Sequence, residues 1–260
     1  MNCTITERLS ALRKKMQDRN IQAYIIPGTD PHLSEYSAEH WKLRDWISGF
    51  TGSAGTAVVT ADAAGLWTDS RYFLQADIQL KGSTFDLYKE GLPETPSINE
   101  WIISVLPAGS NVAIDGAMFA TAQAQLIQNR FQKNGLHLVT DFDPFDEIWT
   151  DRPAIPKDWL FIYEEKYSGE STQNKISRIL SDVQSKGASA ILLSALDEIA
   201  WAFNIRGTDV ECNPVAICYA YISPDKKVLF IHPEKVSAKD TAILSQAGID
   251  IAPYDSVYSF

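Results

Sequence analysis

The sequence is poor in cysteine, and what it has is not paired. Cys3, Cys212 and Cys218 make an odd count of three, and no two stand at a C-x-x-C or other metal-ligand spacing. That argues against a disulfide framework or a thiolate metal site and for free thiols in a reducing compartment. Histidine is sparse as well. His32, His40, His137 and His232 never form H-E-x-x-H or a comparable cluster. His32 and His40 share a stretch with Asp30, Glu35 and Glu39, but that spacing fits no ligand template. No segment approaches the roughly 20 apolar residues of a membrane span. Glu7, Arg8, Arg13, Lys14 and Lys15 interrupt any apolar run that could serve as a signal peptide. Lys and Arg are not clustered, and the formal net charge is −10. Nucleic acid and anionic membranes are therefore poor candidates as main partners, and solubility alone accounts for the acidity. G-x-S-x-G, G-x-G-x-x-G and G-x-x-x-x-G-K-[ST] are all missing; Gly52-Ser53-Ala54-Gly55 reads as a tight turn. The expectation is a soluble cytoplasmic protein without a recognisable catalytic or metal-binding motif.

What the chain does have is an internal repeat. Residues 6–19 read as an amphipathic helix with Thr6 as N-cap and Leu9, Leu12 and Met16 on one face, followed by an apolar strand from Ile21 to Ile26. The same order returns as a helix over 172–186, with Ile176, Ile179 and Val183 on one face, and a strand from Ala188 to Leu193. Leu9, Leu12, Met16 and Ala23 map onto Ile176, Ile179, Val183 and Ala190 with one offset of 167. A second anchor aligns Trp46, Gly49 and Gly52 with Trp201, Asn204 and Gly207 at an offset of 155. Gly and Asn both tolerate positive φ, so Gly49 and Asn204 are expected to make the same turn. The change in offset makes the first copy twelve residues longer within Gly28 to Asp45.

Strands follow each Trp anchor. Thr56 to Thr60 and Gly65 to Thr68 lie in the first copy, Val215 to Ile222 and Lys227 to His232 in the second. The first copy continues with a helix at 101–105, a strand at 112–114, a helix at 121–133 and a strand at 136–140. Alternating helices and short strands predict an α/β fold, a sheet covered by helices. Asp151-Arg152-Pro153-Ala154-Ile155-Pro156 reads as a stiff link between two similar domains, 1–155 and 156–260. Asp255 is expected to cap a helix beginning at Ser256, and the aromatic residues up to Phe260 suggest a chain that continues and a second domain truncated at that end.

One segment is dense in chemistry. Thr68-Asp69-Ser70 reads as a helix N-cap run, which places Arg71 in a first helical turn, where the helix dipole disfavours a cation. Arg71 should therefore have a carboxylate partner, Asp69 or Glu35, or offer its guanidinium to a bound peptide. Asp197 and Glu198 read as acids at the positive end of a helix.

These residues also carry a resemblance. The stretch Ile21 to Pro27 with Asp30, His32 and Glu35, the run Ser48 to Ala57, the run Leu66 to Gln75, Ile148 to Pro153, Leu196 to Gly207 and Asn213-Pro214 together resemble the long, three-domain cytosolic form of the Xaa-Pro aminopeptidase (aminopeptidase P) family. The resemblance spans essentially the whole chain. It implies two creatinase N-terminal-like domains with a ribonuclease H-like motif, each a mixed β-sheet flanked by helices. A third "pita-bread" catalytic domain, absent here, would hold two divalent ions, usually manganese, through two Asp, one His and two Glu, and would remove the residue before proline from a peptide. The resemblance further implies a homodimeric parent and Xaa-Pro peptides as partners of the missing domain. It assigns no catalytic and no metal-binding residue to these 260 residues. Arg71, Asp30, His32 and Glu35 are the substrate-facing candidates it implies. Two alternatives stay open: a non-enzymatic binding module of aminopeptidase-like fold, and a prolidase or creatinase relative on the same scaffold.

Overall fold

The computed structural model describes residues 4–260, so Cys3 lies outside the described residues. The chain divides into two compact units, Met1–Ala154 and Ile155–Phe260.

The first unit begins with helix α1, Ile5–Asp18, whose N-cap is Thr4 rather than Thr6. The reason is a capping box: Thr4 receives the Glu7 amide, while the Glu7 carboxylate returns to the Thr4 amide at 2.7 Å. Both orphan ends of the first turn are thus satisfied, which Thr6, itself inside the turn, could not achieve. Leu9, Leu12 and Met16 are buried, as their shared face requires. Strand β1, Ala23–Pro27, follows, then α2, Leu43–Ser48, the strands β2, Thr56–Thr60, and β3, Ala64–Thr68, helix α3, Phe73–Gln79, and strand β4, Asp86–Lys89. Helix α4, Ile98–Val105, strand β5, Asn111–Ala113, helix α5, Thr121–Lys133, strand β6, His137–Val139, and the short α6, Phe145–Ile148, complete it. The sheet runs β4-β3-β2-β1-β5-β6. β2 lies antiparallel between β1 and β3, whereas β4 joins β3, β5 joins β1 and β6 joins β5 in parallel. On one face Ile25, Val58, Trp67, Trp101, Val112 and Phe131 form a core. Trp67 stacks on Tyr88 with ring centroids 4.0 Å apart and donates its indole N–H to Pro96 O at 2.9 Å, so a large ring is buried without an orphan donor.

The second unit contains β7, Phe161–Ile162, α7, Glu165–Ser168, α8, Thr172–Ser185, β8, Ile191–Leu193, α9, Leu196–Ala202, β9, Ile205–Arg206, β10, Tyr219–Ile222, β11, Lys227–Phe230, α10, Ala238–Gln246, and β12, Asp250–Ala252. Its main sheet runs β12-β11-β10-β8, and β7 pairs separately with β9. β8–β10–β11 are antiparallel and β11–β12 parallel, which repeats β1–β2–β3 and β3–β4 of the first unit. The register repeats too: Thr56 faces Trp67 as Tyr219 faces Phe230, each member displaced by 163 residues. Gly49 and Asn204 adopt φ of 78° and 51°, so both copies do make the left-handed turn.

Two expectations need correcting here. The strand expected from Val215 starts only at Tyr219, because the Ile217 amide is taken by the Asp209 carboxylate at 2.6 Å instead of by a neighbouring strand. Asp255 caps nothing: the last element is a 3-10 helix over Tyr254–Ser259 entered from Pro253, with Asp255 already inside its first turn.

Candidate functional site

Antiparallel pairing determines where the candidate residues meet. Pro27 pairs with Thr56 and Thr56 with Trp67, so the end of β1, the start of β2 and the end of β3 lie on one edge of the sheet. The loops 28–42, 49–55 and 69–72 therefore emerge side by side. Each of the four candidates lies in one of them.

Asp30 and His32 build the floor. Both are buried, at 0 % and 3 % exposure. Asp30 Oδ1 accepts the His32 amide at 2.9 Å and the Ser34 amide at 3.0 Å, closing an Asx turn in which Leu33 takes φ of 57°. The His32 ring sits edge-on to Trp41, centroids 6.4 Å apart. These contacts set the path of the longer loop of the first copy.

Arg71 and Glu35 are the exposed pair. Helix α3 begins at Phe73 with Tyr72 as N-cap, so Arg71 precedes the helix instead of occupying its first turn. The Asp69 side chain explains the shift, since its Oδ1 accepts the Arg71 amide at 2.9 Å and makes a turn of its own before the helix can start. The same carboxylate accepts Arg71 Nε at 3.0 Å and Nη2 at 2.8 Å. Of the two partners expected for Arg71, Asp69 makes the contact. Asp69 raises the Arg71 pKa further above its usual range, Glu35 adds a smaller push through space, and Arg71 in turn lowers that of Asp69. The Arg71 side chain nevertheless keeps 61 % of its surface exposed. One face of a guanidinium held by a single carboxylate thus remains open for a second anion or carbonyl. Beside it, Tyr72 Oη and Ser53 Oγ share a hydrogen bond of 2.7 Å. Glu90, just past β4, completes the edge, and burial followed by the Asp69 charge raises its pKa.

The sequence reading missed the residue that holds these loops together. Arg44 is buried at 3 % exposure; its guanidinium donates to Gly52 O and to Gly55 O, the latter at 3.2 Å, and pairs with Asp45. Gly28 is required there, because a Cβ would run into the Arg44 guanidinium. Burial raises the Asp45 pKa even though Arg44 opposes it. The signal was available as an Arg-Asp pair set inside an otherwise apolar short helix. In the second unit the comparable fixtures are Lys175, whose Nζ donates to Asn204 Oδ1 at 2.6 Å and to Trp201 O at 3.0 Å, and a fully buried Lys235–Asp209 ion pair. Asp197 and Glu198 occupy the first turn of α9, as expected.

Among the described residues, no three His, Cys, Asp or Glu side chains gather as a metal site would require, and no helix is long and apolar enough to cross a membrane. The residues present therefore do not fit a resident metal, and no chemical step is assigned to one.

Known proteins are similar to this chain in sequence and fold. The creatinase/prolidase N-terminal domain matches residues 8–148, and a second form of the same domain matches residues 151–260. The chain is 42% identical over 258 residues to aminopeptidase P2 of Arabidopsis thaliana, covering 97% of this chain and 36% of that protein. It is 41% identical over 256 residues to a probable Xaa-Pro aminopeptidase P of Aspergillus niger, covering 98% of this chain and 41% of the relative. The crystal structure of an X-prolyl aminopeptidase from Caenorhabditis elegans, described as a cytosolic enzyme with a di-nuclear active site, matches 99% of this chain and 44% of its own, with 31% identity and a TM-score of 0.96. This chain thus spans about two-fifths of the length of the relatives it matches. It belongs to the creatinase/prolidase N-terminal domain family, whose domain it carries twice in succession.

Proposed function

We propose that this chain is the non-catalytic N-terminal portion of a metal-dependent Xaa-Pro aminopeptidase, which removes the first residue from peptides with proline second. Its two domains shape access of the substrate and assist assembly of a homodimeric, cytoplasmic parent. The divalent ions, two and of manganese type, belong to the part of the parent outside these residues and would supply the activated water there. The observation that carries this reading is the two-domain likeness over 99% of the chain at a TM-score of 0.96, with relatives of the same name at about 40% identity. Within the chain, Arg71 is the substrate-facing group: exposed, cationic, and held by Asp69 with one face open. Asp30 and His32 hold the loop that carries Glu35 toward it.

The test is to assay the whole parent and this chain alone, each with manganese, on Xaa-Pro-Yaa peptides and on Xaa-Pro dipeptides. The parent should cleave the longer peptides and the chain should cleave neither. Cleavage by the isolated chain, or a parent acting only on dipeptides, overturns the reading.

A further inference from the structure

The longer loop of the first copy is held at both ends, and the hold at its far end points to two residues with a part in substrate binding. Residues 28–42 pass from β1 to α2 through a 3-10 turn over Glu39–Trp41, whereas in the second copy β8 ends at Leu193 and α9 already starts at Leu196. A loop of that length keeps one path when groups outside it fix it. The Asp30 turn fixes its near end. Its far end is clasped from two sides by the start of the link that leaves the first unit. His40 Nδ1 lies 2.7 Å from Pro153 O, and Arg152 Nε donates to His40 O at 3.0 Å. A carbonyl oxygen can only accept, so Nδ1 carries the imidazole proton and donates it. The Arg152 side chain is only 7 % exposed, and its Nη1 is fixed by Asp146 at 2.6 Å and by Asp143 at 3.5 Å. The guanidinium thus meets the loop and two carboxylates in one rigid fork, a geometry that the point charge of an ammonium group does not reproduce.

A packed path leads from this clasp to the candidate residues. The His40 ring meets Trp41 edge-on with centroids 5.0 Å apart, Trp41 is buried, and the same indole meets the His32 ring edge-on. The Asp30 turn then carries the chain from His32 through Ser34 to Glu35. We propose that Arg152 and His40 are positioning residues: they set loop 28–42 from the link, so that Glu35 and Arg71 meet a substrate together. They act through Trp41 and His32 and not by touching the substrate. The proposal rests on the reading of Arg71 and this loop as substrate-facing.

The test is steady-state kinetics of the whole parent on one Xaa-Pro-Yaa peptide, together with amide exchange in the same proteins. His40→Ala should raise KM about tenfold with kcat within about twofold, because a displaced loop loses binding common to the bound and transition states. Exchange over residues 30–36 should quicken by about tenfold while β2 and β5 keep their protection, which shows that the variant is folded. His40→Asn, whose carboxamide N–H takes the place of Nδ1–H, should bring both readouts back to within about twofold of the unsubstituted parent. Arg152→Lys keeps the charge but not the fork and should behave as His40→Ala does. An unchanged KM or an unchanged loop exchange rate in His40→Ala overturns the proposal. So does a raised KM that His40→Asn fails to restore, or quickened exchange that spreads to β2 with KM unaltered, which would make the clasp a matter of stability alone. An unsubstituted parent inactive on these peptides refutes the functional reading by itself; the loop exchange, quickened in His40→Ala and restored in His40→Asn, would then still support the clasp, and its failure to quicken would overturn it.

Discussion

Removing Lys235 should unfold the second unit selectively, by an amount the structure sets. Lys235 Nζ and Asp209 Oδ2 form an ion pair in which both side chains have no exposed surface. Asp209 Oδ2 also accepts the Ile217 amide, and its Oδ1 is buried without a hydrogen-bond partner. Breaking such a pair from one side leaves an uncompensated charge and costs about 3–5 kcal/mol. With a urea dependence of about 1–3 kcal/mol per molar for a domain of this size, Lys235→Met should lower the urea midpoint of the second unit by about 2 M. The pH dependence has a definite sign. Burial already raises the folded Asp209 pKa against the pull of Lys235, and loss of the cation raises it further. A group that binds its proton more tightly when folded favours folding at low pH and loses that contribution as pH rises, so the variant should be weakest above neutrality and recover toward pH 5. Lys235→Met with Asp209→Asn keeps an acceptor for the Ile217 amide, removes both charges and should restore most of the loss. The assay is a urea titration followed by amide exchange in β10 and β11. A loss of less than about 1 kcal/mol that is indifferent to pH would show the pair to be hydrated and refute the reasoning.

Three further outcomes are expected. Gly49→Ala forces a side chain into φ of 78° with Ile5 Cδ1 2.9 Å from the new Cβ, and should cost the first unit about 1–3 kcal/mol in chemical denaturation. His40 is held below its ordinary pKa of 6.5 by burial, although the Pro153 carbonyl 2.7 Å from Nδ1 opposes this; the unfolded chain then binds the proton first, so first-unit stability should fall as pH drops below about 6.5 and His40→Gln should flatten that slope in thermal melts. Arg71→Ala in the parent should raise KM for Xaa-Pro-Yaa peptides while leaving the thermal midpoint of the first unit unchanged, because the Asp69 pair is solvent-exposed; a shifted midpoint with unchanged kinetics would make Arg71 purely structural.

Much of the fold was legible because the repeat was. The helix faces of Leu9, Leu12 and Met16 and of Ile176 and Val183, the β2 strand and the α5 helix follow from periodicity, and the paired Gly49 and Asn204 turns from residue type alone. Boundaries failed where a side chain competed with the backbone. Thr4 and Glu7 moved the start of α1, Asp69 moved the start of α3, and Asp209 delayed β10. Those contacts depend on loop geometry that periodicity does not encode. Strand β4, only half-buried, and β12 carry too little apolar alternation to stand out. Of the site, Arg71 and the need for a carboxylate partner were readable; Arg44 showed only as a charged pair in an apolar helix, and its acceptors, backbone carbonyls eight and eleven residues away, were not.

The left-handed turn after the tryptophan has a consequence for how the two copies can exchange parts. In the first, Ile5 presses on the place where a side chain would begin, so the position is closed to any residue but glycine. In the second, the Asn204 side chain is engaged from both ends, receiving Lys175 and donating to Glu170 O at 2.8 Å. One backbone shape has thus become a vacancy in one half and a cross-link in the other. A chimera that transplants the Trp-to-Gly segment in either direction carries the right turn and the wrong neighbours, so the halves are alike in form but not interchangeable.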